Sequence, residues 1–417
     1  MRIVYFNPVG HLGGAENSLL DLVASVRAAE PSADLRIVVA TEGPLLEAAK
    51  MMDTEVVLLP MPQSLLEVGD GALKDQGRLA AAASLAWRLA SVWPAGTAYV
   101  RRLRRVFENL DPDLIHTNGI KCHLLASFAR VEGVPIVWHI RDFLGSRRMV
   151  TRALRWASKR AASGIAISET VGRDARKVLP GLPIEVIYNA IDTDRFSPGP
   201  GDGRLLDDLA EMKPPEDGTI RVGLVATYAV WKGHDVFIEA AAKVMAASSS
   251  PAVRFYIVGG PIYRTHGSQV SEGALRGRAA ALGIDHALGF AGFQIDTAKI
   301  YRALDIAVHA SKEPEPFGRT IVEAMACGRP VIVSRAGGAA ELFTHDHDAV
   351  GFTPNDPDAL AQAILSLAGD ADRRQRLGAQ ARLTAIERFS RPRLGREVAA
   401  LYARLLASSG PRGRAGG

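Results

Sequence analysis

The chain has 417 residues, of which 47% are hydrophobic and 23% charged, as expected for a globular protein of about two domains. Its formal net charge of +5 is too small to indicate nucleic-acid binding. The N-terminal segment MRIVYFNPVGHLGG passes from a short apolar run to glycines and lacks the long apolar stretch of a secretory signal. Two cysteines, Cys122 and Cys327, provide no disulfide framework, so we expect a protein of the reducing cytoplasm.

Short β-branched runs alternate with segments of helical periodicity along the whole chain. Strands are predicted at Ile3–Phe6, Arg36–Ala40, Glu55–Leu59, Leu114–His116, Pro135–Ile140, Gly164–Ser168, Ile184–Tyr188, Arg221–Ala226, Arg254–Val258, Leu288–Phe293, Ile306–Ala310, Val331–Ser334 and Val350–Phe352. Between them, segments such as Glu16–Ala29 and His234–Ala247 carry apolar residues three to four positions apart. This alternation predicts an α/β protein with parallel sheets and helices on both faces.

The alternation pauses once, at residues 196–218, where SPGPGDG and KPPEDG surround a short polar segment. We interpret this as a linker between two doubly wound, Rossmann-like domains that face each other across a cleft. The predicted domains are an acceptor-binding domain at 1–200 and a donor-binding domain at 201–392. A helix at 393–410 would cross back to the first domain, and a disordered tail would follow at 411–417.

The most informative stretch is SKEPEPFGRTIVEAMACGRPVIVSRAGGAAE, residues 311–341. Two carboxylates, Glu315 and Glu323, lie on either side of a Pro-Phe-Gly turn that opens a helix. The free N–H groups of the first helical turn favour an anion. A ligand with hydroxyls at both ends and phosphates in the middle, such as a nucleotide-sugar, would satisfy all three features.

Three further features have both a structural and a functional interpretation. Gly13 and Gly14 lie between a strand and a helix, as a plain turn or as a close approach to a ligand. Lys232 precedes a helix, either solvated or bound to a phosphate. His11, His116 and His139 follow or end predicted strands, either as buried structural histidines or near the cleft, and their spacing does not match a metal site.

Two basic clusters stand out, at Arg101–Arg105 and at Arg141–Arg160. Either could contact anionic lipid headgroups or a phosphate-bearing acceptor at the inner face of a membrane. The alternative is a solvated face on an arginine-rich protein.

Together these pieces resemble the retaining nucleotide-sugar glycosyltransferases of family 4, which have the GT-B architecture. The resemblance covers nearly the whole chain, and its specific part is the pair of glutamates with the Phe-Gly turn, followed by EAMACGRPVIVS. It also includes GGAE, YNAIDTDRFSP, WKG, GFAGF, GGAAEL, GFTPNDPDALAQAI and ERF.

The resemblance implies roles for the donor-site residues. Glu315 would hold hydroxyls of the donor sugar beside the backbone N–H groups of Phe317 and Gly318, and Glu323 would bind the ribose. Lys232 would neutralise the departing diphosphate, and the Gly13–Gly14 turn would close over the phosphates. The family uses no bound metal and no cofactor beyond the nucleotide-sugar co-substrate. The leaving diphosphate would help to deprotonate an acceptor hydroxyl that attacks from the same face.

Two positions depart from the family pattern. Where an arginine usually assists the lysine, this chain has Thr227, and Arg319 or Arg264 would have to supply the charge. The usual histidine of the acceptor domain aligns with Arg141, while His139 lies two residues earlier on the same strand face.

The function implied is sugar transfer to a hydroxyl acceptor in cell-envelope or exopolysaccharide synthesis. The alternative is an inactive GT-B protein that binds nucleotide-sugar or a partner glycosyltransferase. A dinucleotide-dependent oxidoreductase is disfavoured because neither half contains G-x-G-x-x-G.

Overall fold

The computed structural model describes residues 1–67, 78–147, 150–247, 252–261 and 268–408. The chain divides into two compact units, which we call the first and second domains. The first domain comprises Met1–Ala190 and the segment that begins at Arg391, and the second comprises Ile191–Ser390. The predicted tail at 411–417 lies outside the described residues.

The first domain contains a seven-stranded parallel sheet in the order β3-β2-β1-β4-β5-β6-β7. The strands are β1 (Arg2–Asn7), β2 (Asp34–Val39), β3 (Glu55–Leu58), β4 (Leu114–Asn118), β5 (Ile136–Ile140), β6 (Ser163–Ala166) and β7 (Ile184–Val186). The helices are α1 (Gly14–Ala29), α2 (Pro44–Lys50), α3 (Gln63–Glu67), α4 (Arg78–Leu110), α5 (Ile120–Phe128), α6 (Thr151–Ser158) and α7 (Glu169–Val178).

The second domain contains a six-stranded parallel sheet in the order β10-β9-β8-β11-β12-β13. The strands are β8 (Ile220–Val225), β9 (Val253–Val258), β10 (Leu288–Phe290), β11 (Ile306–His309), β12 (Val331–Ser334) and β13 (Val350–Phe352). The helices are α8 (Gly203–Leu209), α9 (His234–Ala246), α10 (Glu272–Ala281), α11 (Thr297–Ala303), α12 (Arg319–Ala326), α13 (Pro357–Ala368) and α14 (Ala371–Phe389), and α15 (Arg391–Ser408) then returns to the first domain.

Each predicted strand forms, and its ends differ from the prediction by at most three residues. The strands are apolar along nearly their whole length because helices cover both faces of each sheet. Some helices begin at a side-chain cap, as α13 does: Asp356 accepts a hydrogen bond from the Ala359 N–H, and Pro357 occupies the first turn. The predicted α/β architecture with two Rossmann-like domains is therefore confirmed.

The last helix, α15, packs against α1 within the first domain. Gly395 makes this approach possible, since a Cβ there would come within 2.2 Å of the Ser25 carbonyl oxygen. Arg391 reinforces the contact through an ion pair with Asp21, at 2.7 Å.

The predicted linker at 196–218 is wrong, because this segment belongs to the second domain and the division falls at Ala190 rather than at residue 200. Helix α8 forms within it. Asp207 of α8 is fully buried and pairs with Arg221 at 3.0 Å and Arg254 at 3.2 Å, which attaches the helix to β8 and β9. The prolines and glycines that suggested a linker border this helix.

Over the part of the chain that the structure describes, no helix is both long and apolar enough to span a membrane.

Candidate active site

Two neighbouring strands of the second sheet end beside a pair of oppositely charged side chains. Leu224 of β8 pairs with Val308 of β11, so the carboxyl ends of these strands lie side by side. Lys232 follows β8 in a one-turn 3₁₀ helix, Val230–Lys232, and Glu315 follows β11. In open parallel sheets this edge is where ligands bind.

The Glu315 carboxylate is the centre of this group. Its Oε2 lies 2.7 Å from Lys232 Nζ and accepts a hydrogen bond from Ser311 Oγ at 2.9 Å. The hydroxyl of Ser311 also contacts His309 Nε2 at 3.1 Å. Because the hydroxyl proton goes to Glu315, His309 donates its Nε2–H to Ser311, and the chain of donors ends on the carboxylate.

The charge state of Glu315 is fixed by two opposing effects. Burial alone would raise its pKa. The Lys232 ammonium and a hydrogen bond from His309 oppose that effect and hold the pKa well below its usual range. The group is therefore a carboxylate paired with an ammonium at neutral pH.

The glycine turn after β12 holds the Glu315 backbone in place. The Glu315 carbonyl accepts a hydrogen bond from the Gly338 N–H at 2.6 Å, and the Glu315 N–H donates to the Ala336 carbonyl at 3.3 Å. Gly337, at φ 66°, comes so close that a Cβ would lie 2.5 Å from the Glu315 carbonyl oxygen. The loop that carries Glu315 and the glycine turn after β12 are thus hydrogen-bonded to each other through their backbones.

A second glycine positions Lys232. Gly233 has φ 70°, and a Cβ at this residue would lie 1.9 Å from the Ala310 carbonyl oxygen. The Lys312 N–H donates to the Trp231 carbonyl at 2.8 Å. The loops after β8 and β11 are therefore fastened to each other through their backbones, which fixes the separation of the charge pair.

The predicted Phe-Gly turn opens α12 as expected. Gly318, with φ 105°, is the N-cap residue. The Phe317 ring is buried and meets Phe389 edge-on at 5.9 Å between ring centroids. Within the first turn of α12, the Ile321 N–H donates to the Gly318 carbonyl at 3.0 Å. The N-terminus of a helix carries partial positive charge that favours an anion.

Glu323 lies on α12, almost fully buried. It accepts a hydrogen bond from Arg319 Nε at 2.7 Å and one from the Tyr301 hydroxyl at 3.4 Å. Arg319 therefore pairs with Glu323 one helical turn away, rather than with Glu315. Nearby, burial and then the Glu323 charge raise the pKa of Tyr301, so the phenol stays a donor.

Thr227 lies two residues beyond the end of β8, where the family pattern places an arginine. Its Oγ1 is shielded from solvent and has no hydrogen-bond partner among the described residues. Arg264, the other predicted source of a compensating charge, lies outside the described residues.

At the corresponding edge of the first sheet, Arg141 directly follows β5. It donates from Nη1 to Asn189 Oδ1 at 2.9 Å and from Nε to Asn118 Oδ1. Asn118 in turn donates to Asn7 Oδ1 at 2.5 Å. Amide side chains at the ends of β1 and β4 and after β7 thus fix the guanidinium.

His139, by contrast, is buried within β5 and is only 1% exposed. Its Nδ1 contacts His116 Nε2 at 3.0 Å and Arg141 Nη2 at 3.4 Å. Arg141 can only donate, so Nδ1 of His139 accepts. His116 therefore donates from its Nε2. The Nδ1 of His116 then accepts from the Tyr402 hydroxyl, at 2.7 Å. Burial, and then the Arg141 charge, hold the pKa of both histidines well below their usual value.

Gly13 and Gly14 open α1 in the first domain, as predicted. The Gly13 N–H donates to Glu16 Oε2 at 3.1 Å, and a Cβ on Gly13 would lie 2.9 Å from the same oxygen. A Cβ on Gly14 would meet nothing within 4 Å. A side chain at Gly13 would therefore have to displace the carboxylate of Glu16, whereas one at Gly14 would meet nothing.

Several residues that contact Glu315, Glu323 or Arg141 had no role predicted from the sequence: His309, Ser311, Tyr301, Asn118 and Asn189. The positions of His309 and Ser311 could have been predicted, because both lie at the carboxyl end of β11, just before Glu315. The other three contacts depend on how strands and helices are placed in space, which residue spacing does not indicate.

The two parallel sheets with their helices define a class: a two-domain α/β protein of GT-B architecture. Comparison with known proteins agrees. A model described as "Glycosyl transferases group 1" matches residues 209–384, and one described as "Glycosyltransferase Family 4" matches residues 12–195. The two models together cover most of the chain, which belongs to the GT-B glycosyltransferases of family 4.

Individual relatives match parts of the chain. It is 31% identical over 221 residues to a D-inositol 3-phosphate glycosyltransferase of Corynebacterium kroppenstedtii, covering 52% of this chain and 48% of that protein. It is 27% identical to the lipopolysaccharide core biosynthesis mannosyltransferase LpsB of Rhizobium meliloti, covering 70% of this chain and 84% of that protein. The chain thus spans about half the length of the first curated relatives that it matches.

Among solved structures, the fold is similar to that of Anabaena HepE crystallised with UDP and glucose. The TM-score is 0.75 at 24% identity, covering 97% of this chain and 99% of that one.

Proposed function

We propose that the protein is a glycosyltransferase that moves a sugar from a nucleoside-diphosphate donor to a hydroxyl acceptor, with retention of anomeric configuration. The observation that carries this proposal is the Lys232–Glu315 pair, 2.7 Å apart at the carboxyl edge of the second sheet and next to the start of α12. A cation, a carboxylate and a helix N-terminus on one edge suit a ligand that has phosphates and sugar hydroxyls together.

The roles follow from the charges. Lys232 would carry the diphosphate, whose charge increases as the bond from the anomeric carbon to the phosphate oxygen breaks. Glu315, held ionised, would accept hydrogen bonds from donor-sugar hydroxyls, and the backbone at Phe317 and Gly318 would contact the same ligand. Buried Glu323 would accept from the ribose. As the acceptor oxygen bonds to the anomeric carbon, its proton would pass to the departing diphosphate, so the reaction needs no protein nucleophile and no bound metal.

Arg141 is the side chain of the first domain best placed to meet an acceptor, because it lies at the strand end while His139 lies buried behind it. We propose that the acceptor is a glycan or lipid-linked saccharide of the cell envelope and that the protein works at the inner face of the membrane. LpsB, a mannosyltransferase of lipopolysaccharide core biosynthesis, supports that direction.

The test is turnover of donors. The protein is incubated with UDP-, GDP- and ADP-sugars and a mixture of candidate acceptors, nucleotide release is measured, and the anomeric configuration of the product is read by NMR. We expect release with one base class and a product that has the configuration of the donor. Product of inverted configuration would contradict retention, and no release with any donor would contradict the activity.

One observation favours a second function, binding of nucleotide-sugar without transfer. Thr227 stands where a second phosphate-binding cation is expected, and its Oγ1 has no partner within the described residues. A hydroxyl cannot replace a bidentate guanidinium. The variant Thr227→Arg separates the two functions. If the wild type binds the donor without releasing nucleotide, and only Thr227→Arg releases it, the natural protein is a binding protein.

A further inference from the structure

The first domain exposes two large aromatic side chains that touch each other. Phe128, at the end of α5, is 49% exposed, and Trp156, on α6, is 42% exposed; their ring centroids are 4.8 Å apart. The Arg160 guanidinium lies 3.5 Å from the Trp156 ring centroid and 6.0 Å from that of Phe128. A pair of exposed aromatic rings under a cation indicates a contact surface, since the same rings would be more stable in the core.

Beside the aromatic pair is a shallow depression of about 310 Å³. Three of its lining residues are arginines from separate parts of the chain: Arg104 from α4, Arg130 after α5 and Arg160 after α6. Ser127, Phe128 and Glu132 complete the lining. The fold therefore brings Arg104 of one basic cluster close to Arg160 of the other, more than fifty residues further along the chain. We call Arg104, Phe128, Arg130, Trp156 and Arg160 the aromatic–arginine surface.

More positive charge lies on the same helices. Exposed cations that form no ion pair within the described ranges are Arg101, Arg102, Arg105, Arg130, Arg152 and Lys159. Arg101, three residues before Arg104, lies on the same face of α4 by helical spacing. The nearby acids are few: Glu108 pairs with Arg104 at 2.8 Å, and Glu132 lines the depression. The surroundings of the aromatic rings are thus strongly cationic.

We infer that the aromatic–arginine surface docks the first domain onto an anionic lipid membrane. Clustered arginines bind lipid phosphates, and tryptophan and phenylalanine occupy the interface between headgroups and acyl chains. A soluble phosphate ligand would explain the arginines but leave two half-exposed rings without a partner. A hydrophobic protein partner would explain the rings but not the excess of unpaired cations. This inference rests on the membrane location proposed above and names the surface responsible for it.

Flotation with lipid vesicles tests the inference without any sugar donor, so its outcome is independent of catalysis. The wild-type protein is mixed with phosphatidylcholine vesicles or with vesicles containing 30% phosphatidylglycerol, a composition of roughly physiological charge. We expect binding to the anionic vesicles only, weakened by 0.5 M salt. R104Q/R130Q/R160Q should lose about 100-fold in affinity, since each cation contributes roughly a factor of five at such a surface.

The aromatic contribution is tested with F128S/W156S, for which we expect at least a tenfold loss that added salt does not reproduce. W156S alone should lose less, and it also provides the test should the double variant fail to fold. Matched controls are K213Q/R376Q/R396Q, which removes three exposed cations elsewhere, and I295S/L383S, which removes two exposed apolar side chains.

Both control variants should bind like the wild type. Equal losses in test and control variants would overturn the inference, because binding would then follow net charge alone. Unchanged binding in both test variants, or no binding of the wild type to anionic vesicles, would overturn it as well, whereas nucleotide release by the same preparations would leave the proposed activity standing.

Discussion

The two sheets have the same parallel architecture but opposite chemistry at their carboxyl edges. In the second domain the edge holds charge: Lys232 against Glu315, and Arg319 against Glu323. In the first domain, neutral imidazoles and amides surround a single guanidinium, that of Arg141, and burial keeps His116 and His139 uncharged. The fold thus sets where a ligand can bind, and the side chains set whether the site suits phosphates or hydroxyls.

We expect the largest effect on transfer from a substitution at the charged carboxyl edge of the second sheet. Replacing Glu315 by Gln removes the carboxylate while keeping its size, and we expect transfer to fall about 1,000-fold, since a preorganised group at the reacting sugar contributes about 3–4 kcal/mol. The neighbouring Glu313→Gln is the matched control, because Glu313 is exposed. Initial rates at saturating donor measure the effect. Near-wild-type rates for Glu315→Gln would show that this edge is not the donor site.

The uncharged histidines near the carboxyl edge of the first sheet should make the first domain less stable in acid than the second. Burial lowers the pKa of His123 to about 3 and holds those of His116 and His139 low, whereas the second domain has His234, lowered to about 4. The unfolded chain takes up these protons near pH 6.5, so stability is complete above that pH and is lost as pH falls towards the folded values.

Among the described residues there are three such histidines in the first domain against one in the second. From these, the first domain should lose about 2–3 kcal/mol more per pH unit below pH 6 than the second. Hydrogen exchange in β5 and β11, corrected for intrinsic rates and compared at pH 7, 6 and 5, measures this difference. Parallel loss of protection in the two strands would contradict the neutral, buried state of the first-domain histidines.

A smaller effect is expected at Arg141, at the carboxyl edge of the first sheet. Arg141→Lys keeps the charge but cannot make both bonds, to Asn118 and Asn189. We expect kcat/KM for the acceptor to fall about tenfold, or about 1.4 kcal/mol, with hydrolysis of the donor by water unchanged. Arg147→Lys is the matched control, since Arg147 pairs with Asp142 at 2.8 Å. If transfer to the acceptor and hydrolysis of the donor fell equally, the role of Arg141 would be structural rather than in binding the acceptor.

Much of the fold could be predicted from the sequence because parallel strands buried on both faces are short apolar runs with clear ends. The linker at 196–218 was wrongly predicted for a physical reason: glycine and proline occur at the ends of α8 as readily as in a flexible connection. The burial of Asp207 among Arg221, Arg254 and Tyr256, which makes that segment part of the second domain, has no local signature.

The candidate site divides in the same way. Glu315 and the turn that opens α12 follow from local pattern, since a carboxylate and a Phe-Gly helix start are adjacent in sequence. The pairing of Glu315 with Lys232 joins residues 83 positions apart, and only the register of β8 against β11 brings them together. The hydrogen bond that His116 accepts likewise comes from Tyr402, which the last helix supplies from the far end of the chain.

In the proposed mechanism, Lys232 binds the donor diphosphate, and its ion pair with Glu315 positions the ammonium before the donor arrives. Calorimetric titration with UDP, GDP and ADP measures this most directly, using the wild type, Lys232→Met and Glu315→Gln. For the diphosphate that binds, we predict at least a tenfold weaker affinity in Lys232→Met, because a charge-assisted contact is lost. Glu315→Gln should bind it as tightly as the wild type or more tightly, because the ammonium is no longer shared. Unchanged affinity in Lys232→Met would contradict the account.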